Sequence, residues 1–219
     1  MIKTNYHTHT IFCDGKNSPE ETILSAIEKK IDILGFSGHS MYPFAEDWHI
    51  SPKQMQEYVS TIRTLSEKYK DKITILCGFE ADYIHGITEP TFQNYKDFSP
   101  DYLIGSVHYI LTNKGIMAVD GKSNDILKGI NLLFNGNTKK AVCEYFYLQR
   151  EMIKKCDFTI LGHPDLFRKE NENLKLFNES DSWYKKEVKA LAKEIAKKYD
   201  ACICGSDCCY ADIICRTYI

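Results

Sequence analysis

The sequence predicts an α/β fold built on a parallel sheet. Short apolar runs that suit buried strands alternate along the 219-residue chain with longer amphipathic segments that suit helices. Such alternation is typical of parallel sheets whose two faces are covered by helices. A chain of this length can bury one substantial core, so we expect a single domain over residues 1–219.

The first strand is predicted around His7 and His9, within the stretch YHTHTIFCDG of residues 6–15. Residues two apart on a strand point to the same side, so His7 and His9 would present two imidazoles in one direction. Such a pair suits a metal ion, although an isolated pair is more often part of a half-buried strand with ordinary hydrogen bonds. The rest of the chain has to decide between these interpretations.

Two serine-proline pairs predict where the first two helices begin. Ser18 would cap a helix starting at Pro19, and Glu21 would complete a capping box. The apolar face of this helix would contain Ile23, Leu24 and Ile27. The same signal at Ser51 predicts a second helix that runs to about Lys70. Its apolar stripe would contain Met55, Val59, Ile62, Leu65 and Tyr69.

The remaining elements follow from the same patterns. Buried strands are predicted in IDILGFSGHS, KITILCGFEADY, YLIGSVHYI and CDFTILGHPDLF, and a sixth short strand in DACICG. Helices are predicted over residues 138–155 and 182–199. Residues 112–137 contain glycines and asparagines and allow no detailed assignment.

Ligand-type side chains fall at the carboxyl ends of the predicted strands or just beyond them. They are His7, His9, His39, Glu80, His108 and His163. In barrel-like α/β folds these strand ends share one face, where such folds place their chemistry. One histidine at a strand end is usually a hydrogen-bonded core or rim residue, whereas six ligand-type residues from five strands indicate a metal site.

Composition narrows the class of partner. The 28 basic and 30 acidic residues leave a formal charge of -2, which gives no electrostatic footprint for nucleic acid or an anionic membrane surface. We therefore expect a small-molecule partner, and the lack of a membrane-spanning run or secretory signal predicts a cytoplasmic protein.

Nine cysteines, an odd number, indicate reduced thiols rather than a disulfide framework. Zinc binding by the five cysteines between Cys202 and Cys215 is the less favoured alternative, because their spacing matches no common zinc site.

Five motifs, in this order and at these intervals, resemble the polymerase-and-histidinol-phosphatase (PHP) superfamily and specifically its histidinol-phosphatase branch. They are YHTHTIFCDGKNSPEE, LGFSGHS, CGFEADY, IGSVHYI and LGHPDL. The similarity runs from residue 1 to about residue 200. It implies a distorted (β/α)7 TIM-like barrel that holds two or three divalent ions, Zn²⁺, Mn²⁺ or Fe²⁺, at the carboxyl ends of its strands.

The resemblance also implies a ligand set. His7, His9 and Glu80 would hold one ion, Glu80 would bridge to a second ion held by His108 and His163, and Asp14 and His39 would belong to a third. Imidazole and carboxylate donors suit these metals, and a bridging carboxylate suits two cations a few ångströms apart. Glu80, His108 and His163 are therefore the expected catalytic residues.

The activity implied by the resemblance is hydrolysis of L-histidinol phosphate to L-histidinol and phosphate in histidine biosynthesis. The residues by themselves indicate only a small phosphate ester. Two alternatives stay open: another phosphoesterase of the superfamily that acts on a nucleotide or oligonucleotide, and an inactive or impaired fragment that still binds metal.

The C-terminal part departs from the family pattern. Family members end with a strand that carries Ser-Asp-x-His, whereas residues 205–209 here are GSDCC. By its order in the chain this stretch matches an earlier family strand, so we expect a chain that lacks about one helix-and-strand unit. A relocated ligand at Asp207 is the alternative. An unclosed barrel would leave an open sheet edge, which predicts lower stability or a homo-oligomer.

Other polar and aromatic residues lie outside the ligand pattern. The loop after His39 would overhang the site with Tyr42, Phe44, Asp47 and Trp48, although ordinary loop packing explains these residues equally well. Arg168 and Lys169 are candidates to meet a phosphate, but we expect solvated surface charges. His49 and His85 are expected at the surface.

Overall fold

The computed structural model describes residues 2–40 and 48–198, which form a mixed α/β fold. They fall into two compact units. The described residues of the first unit lie within Met1–Asp82, Pro90–Gly105 and Phe158–Ile160, and those of the second within Tyr83–Glu89, Ser106–Asp157 and Leu161–Ile219. The predictions made for Tyr42, Phe44, Asp47, the DACICG strand, Asp207 and the five C-terminal cysteines lie outside the described residues.

Seven strands form a parallel sheet and a separate hairpin. The strands are β1 (Thr4–Asn5), β2 (Ile33–His39), β3 (Thr74–Asp82), β4 (Tyr102–Ser106), β5 (Tyr109–Thr112), β6 (Gly115–Ala118) and β7 (Ile160–Leu161) in the described part of the chain. The parallel sheet has the order β1-β2-β3-β4-β7, and β5 pairs with β6 in the antiparallel hairpin. The predicted α/β class with a parallel sheet is therefore confirmed.

Helices connect these strands. The helices of the described residues are α1 (Pro19–Glu28), α2 (Met55–Tyr69), α3 (Ser123–Phe134), α4 (Thr138–Lys155), α5 (Asn171–Leu174) and α6 (Ser182–Lys198), with 3-10 turns at Phe92–Phe98 and Leu166–Arg168. The bounds of α4 match the sequence prediction, and α6 confirms the predicted amphipathic helix. Residues 112–137, which the patterns left unassigned, contain the turn and second strand of the hairpin, and α3.

The two serine-proline signals have different outcomes. Ser18 caps α1 as predicted, because its hydroxyl accepts from the Glu21 backbone N–H while the Glu21 carboxylate accepts from the Ser18 N–H. The prediction at Ser51 is wrong: α2 begins only at Met55, and the Ser51 hydroxyl donates to the side chain of Gln54 instead. A serine-proline pair therefore marks a cap only where the following backbone turns directly into the helix.

The first unit packs its helices on the sheet through apolar faces. The predicted stripe of α2 is confirmed, since Met55, Val59, Ile62, Leu65 and Tyr69 are all buried. The apolar face predicted for α1 is partly wrong, because Leu24 is exposed and Ala26 lies in the core beside Ile23. Residues of β2 and β3 are buried on both faces, as expected for a parallel sheet covered by helices.

The second unit is built mainly from helices and the hairpin. Helix α4 packs against α6, and α3 packs against β6 and α4. Its core contains aromatic pairs such as Phe146 with Tyr184, whose ring centroids are 5.7 Å apart. In residues 2–40 and 48–198, no helix combines the length and the apolar character needed to cross a membrane.

Candidate metal centre

The segment that carries His7 and His9 follows β1 rather than lying on a strand, which corrects the sequence prediction. It still runs alongside β2, because the Ser37 N–H donates to the Thr8 carbonyl at 2.9 Å and the Thr8 N–H donates to the Ser37 hydroxyl at 3.0 Å. The segment with His7 and His9 thus continues the direction of β1, but it lacks the continuous ladder of backbone hydrogen bonds that a strand has.

The register of the sheet places His39 beside Glu80. These residues are paired across β2 and β3, and the Ser40 N–H donates to the Glu80 carbonyl at 2.8 Å. β3 continues to Asp82, two residues beyond the end predicted near Glu80. The carboxylate therefore lies on a regular strand, where its position is fixed by the backbone ladder on both sides.

Three imidazoles converge on one oxygen of Glu80. The Glu80 Oε2 atom lies 2.8 Å from His7 Nε2, 3.1 Å from His9 Nε2 and 3.4 Å from His39 Nδ1. The Glu80 side chain is 1 % exposed. A buried carboxylate is unfavourable unless charged or hydrogen-bonding partners compensate for its lost hydration, and these three rings provide that compensation.

Asp14 joins this cluster through a tight loop. The Thr10 carbonyl accepts from the backbone N–H groups of both Cys13 and Gly15, and a Cβ atom at Gly15 would lie only 2.4 Å from the Thr10 nitrogen. Only glycine fits this close approach. The loop brings Asp14 Oδ1 to 2.8 Å from His9 Nδ1 and Asp14 Oδ2 to 3.8 Å from His39 Nε2.

The charges of His9 and Asp14 depend on each other. Burial by itself would lower the pKa of His9, but hydrogen bonds to Asp14 and Glu80 outweigh it and raise the pKa to about 10. Burial likewise opposes ionisation of Asp14, yet the hydrogen bond from His9 and the nearby imidazoles lower its pKa to about 2. A cation that takes up His9 as a ligand therefore has to displace a proton.

Tyr102 supports the backbone that carries the cluster. Sequence patterns did not reveal this role. Its hydroxyl lies 2.7 Å from the Tyr6 carbonyl and 2.9 Å from the Phe36 carbonyl. A Cβ atom at Gly35 would lie 2.4 Å from that hydroxyl, and one at Gly78 would lie 2.6 Å from the ring. These two glycines therefore leave space for a tyrosine that ties the segment before His7 to β2.

The donor set of the first unit fits divalent metal ions. His7, His9 and Glu80 form one group of mutually close donor atoms, and His9, Asp14 and His39 form another, each within 4.8 Å. Donor atoms around a tetrahedral zinc ion lie roughly 3.3 Å apart, given metal–ligand bonds of about 2.0 to 2.1 Å, close to the distances around Glu80 Oε2. Imidazole with carboxylate is the donor chemistry of Zn²⁺, Mn²⁺ and Fe²⁺ sites.

The second unit contains a buried pair of predicted ligands. His108 and His163 lie with their Nε2 atoms 3.1 Å apart, and both residues are buried. His108 follows β4 by two residues and its carbonyl accepts from the Val119 N–H, while His163 follows β7 by two residues. Two imidazole nitrogens at this distance can share one proton or one cation.

His49 is the clearest error of the sequence analysis, because it is buried rather than at the surface. Its Nε2 atom lies 3.0 Å from Asp82 Oδ2, and the two side chains are 3 % and 1 % exposed. The Trp48 ring packs on His49 with centroids 3.8 Å apart and meets the His39 ring edge-on at 4.6 Å. Trp48 and His49 therefore pack along one side of His39, which is a predicted metal ligand.

The remaining candidates are not members of the ligand-type groups found among the described residues. His85 is exposed, as predicted. Arg168 is not a solvated surface charge, which corrects that expectation: its side chain is 12 % exposed and lies 2.9 Å from Asp165 and 2.7 Å from Glu179. Lys169 is half-exposed, with Asp120 at 3.9 Å. The four cysteines of the described residues, Cys13, Cys77, Cys143 and Cys156, are free thiols.

Sequence comparison finds relatives that carry one name. Over 177 residues the chain is 25 % identical to a Schizosaccharomyces pombe protein named "Probable histidinol-phosphatase", a match that covers 75 % of this chain and 56 % of the relative. The chain spans about half the length of the curated relatives it matches.

Structural comparison finds the same fold in crystal structures. A Listeria monocytogenes protein, HisK, solved as a candidate histidinol phosphatase, superposes with a TM-score of 0.73 at 21 % identity and covers 89 % of this chain and 79 % of its own. Histidinol phosphate phosphatase of Lactococcus lactis, in complex with zinc, L-histidinol and phosphate, superposes with a TM-score of 0.63 at 20 % identity and covers 90 % and 70 %.

The family assignment rests on a match over most of the chain. The PHP domain matches residues 5–203, a range that includes every histidine and carboxylate of the clusters described above. The imidazole and carboxylate groups at the strand ends are therefore found in the region that defines the match, and the chain belongs to the PHP domain family.

Proposed function

We propose that this protein is a metal-dependent phosphomonoester hydrolase whose substrate is L-histidinol phosphate. The observation that carries the proposal is the convergence of three imidazoles on Glu80 Oε2, buried at the carboxyl ends of parallel strands. The names of the sequence relatives support the choice of substrate. The products would be L-histidinol and inorganic phosphate.

The ions of the proposal would be Zn²⁺, Mn²⁺ or Fe²⁺. In the first unit His7, His9 and Glu80 would hold one ion, with Asp14 and His39 as ligands of a further ion. In the second unit His108 and His163 would hold another. The bridging role of Glu80 and the division of residues among individual ions stay predictions of the family resemblance.

The charges of the ligand residues favour a phosphate ester. In the first unit, the three imidazoles would bind cations only as neutral donors, and Glu80 and Asp14 contribute two negative charges. The two divalent ions proposed for this unit would therefore leave its site net positive, which attracts a phosphate dianion. When bound, such ions supply Lewis-acid chemistry that neutralises phosphoryl charge and acidifies a water nucleophile. Hydrolysis then requires no covalent intermediate on a serine or cysteine.

The test is phosphate release from L-histidinol phosphate by purified protein with added Mn²⁺, Zn²⁺ or Fe²⁺. We expect turnover that falls by about 100-fold or more in His7→Ala and Glu80→Ala, because each removes a ligand rather than an outer partner, whose loss already costs 10 to 100-fold. His85→Ala is the matched control, since His85 is exposed and outside the clusters.

Three outcomes separate this proposal from its alternatives. Equal activity in wild type and Glu80→Ala would identify a contaminating phosphatase. Faster release from nucleotides than from L-histidinol phosphate would indicate another phosphoesterase of the family. A folded, metal-loaded protein without turnover on either substrate would indicate a metal-binding fragment that lacks the activity.

A further inference from the structure

The hydroxyl of Tyr145 is a buried hydrogen-bonding centre on α4. It lies 2.9 Å from the His163 carbonyl, 2.8 Å from Gln149 Nε2 and 3.3 Å from the Leu166 backbone nitrogen. Tyr145 and Gln149 are both fully buried. All four residues belong to the second compact unit.

These contacts use the whole hydrogen-bonding capacity of the hydroxyl. The Gln149 amide nitrogen and the Leu166 backbone nitrogen are donors only, so the tyrosine oxygen accepts from both. Its single proton is then directed to the His163 carbonyl. The donor and the acceptor of each hydrogen bond are therefore determined, and the hydroxyl is held in one orientation.

The contacts also hold both ends of one turn. The Leu166 N–H lies 3.2 Å from the His163 carbonyl, which closes the turn His163-Pro164-Asp165-Leu166. Tyr145 thus bonds the first carbonyl and the last N–H of the turn from the adjacent helix. The turn presents the His163 imidazole to His108, with their Nε2 atoms 3.1 Å apart.

We propose that Tyr145 is a positioning residue that sets the His163 ring for metal binding. This inference rests on the metal centre of the proposed function. A ligand has to stay within a few tenths of an ångström of its productive place, and residues locked by hydrogen bonds behind the site provide that precision. Gln149 extends the support by one residue, because it orients the Tyr145 hydroxyl.

Tyr145 also contributes to packing, so the test has to separate the ring from the hydroxyl. The ring meets Phe146 and Phe167 with centroids 5.7 Å and 5.9 Å away. Tyr145→Phe keeps these contacts and removes only the oxygen. Tyr147→Phe is the matched control, because Tyr147 lies on the same helix and is 46 % exposed.

The experiment is stepwise titration of the chelator-treated full chain with Mn²⁺ and with Zn²⁺ by calorimetry. A His163→Ala variant identifies the binding step that depends on the second-unit pair. We expect Tyr145→Phe to weaken that step by about 10 to 100-fold and to leave the other steps within about twofold of wild type. Tyr147→Phe should match wild type in every step.

Three results would overturn the inference, and they are distinguishable from each other. Unchanged binding in Tyr145→Phe would exclude a positioning role while leaving the metal centre intact. Uniform weakening of every step would mean that the hydroxyl serves general stability only. A wild-type protein that binds neither ion would refute the proposed metal centre, and the role of Tyr145 with it.

Discussion

At the residue scale, buried carboxylates in the first unit each depend on imidazole partners. Glu80 meets three rings and Asp82 meets His49, and both carboxylates lie on β3 two residues apart. Removing one partner from a buried, hydrogen-bonded pair usually costs more than the bond itself contributes, since the remaining group loses its compensation for dehydration. The pair of His49 and Asp82 is therefore expected to matter for folding without any metal.

We expect His49→Leu to lower the free energy of unfolding by about 1 to 3 kcal/mol, the usual cost of removing a partner from a buried polar group. The measurement is urea unfolding in the presence of EDTA, so that ion binding does not contribute. His85→Leu is the control, and its effect should stay within about 0.5 kcal/mol because His85 is exposed. Equal effects of the two substitutions would show that the buried pair is not stabilising.

At the element scale, the starts of α1 and α2 show how a local signal depends on the backbone that follows it. Both predicted starts carry a serine-proline pair, yet only Ser18 accepts a backbone N–H of its helix. Between Ser51 and Met55 the chain makes a further turn, closed by the Gln54 N–H and the Ser51 carbonyl. The Ser51 hydroxyl therefore makes a side-chain contact instead of capping α2.

We expect Ser18→Ala to destabilise the protein by about 1 kcal/mol, the typical loss for an N-cap serine. Ser51→Ala should change stability by less than about 0.5 kcal/mol, since its hydroxyl contacts only the Gln54 side chain. Thermal and urea unfolding of both variants gives the comparison. An effect of Ser51→Ala as large as that of Ser18→Ala would contradict this account of α2.

At the scale of the whole molecule, ion binding at the proposed metal centre would be coupled to folding. A ligand that binds only the folded chain adds RT ln(1 + [L]/Kd) to its stability, about 2.7 kcal/mol when the free ion is at 100 times Kd. Imidazoles bind cations only when they are neutral. Protons therefore compete with the ions, and the added stability decreases as the pH is lowered.

We expect EDTA to lower the Tm of metal-loaded protein at neutral pH, by an amount that shrinks on acidification. In Glu80→Gln the difference between loaded and EDTA-treated protein should be much smaller, because the carboxylate charge of a proposed ligand is lost. Differential scanning calorimetry at several pH values measures both effects. A Tm that EDTA leaves unchanged in wild type would argue against ion binding to the folded chain.

The features that the sequence predicted are local ones. The bounds of α4, the apolar stripe of α2, the cap of α1 and the placement of ligand-type residues near strand ends all follow from periodicity or from a few adjacent residues. These properties depend on short stretches of chain and are therefore visible in a single sequence. The types of these ligand-type residues likewise indicate a metal centre from the sequence alone.

Only the tertiary structure decided which polar residues are buried and with which partners. His49 and Asp82 are 33 positions apart, and Tyr102 reaches carbonyls 96 and 66 positions away. The sequence predicts a surface charge at Arg168, whereas the fold places its side chain between Asp165 and Glu179. Burial and pairing of this kind are set by segments that meet only after folding, so local pattern carries no signal for them. The sequence alone shows the residue types of the proposed centre, whereas the packing around these residues determines how they are held.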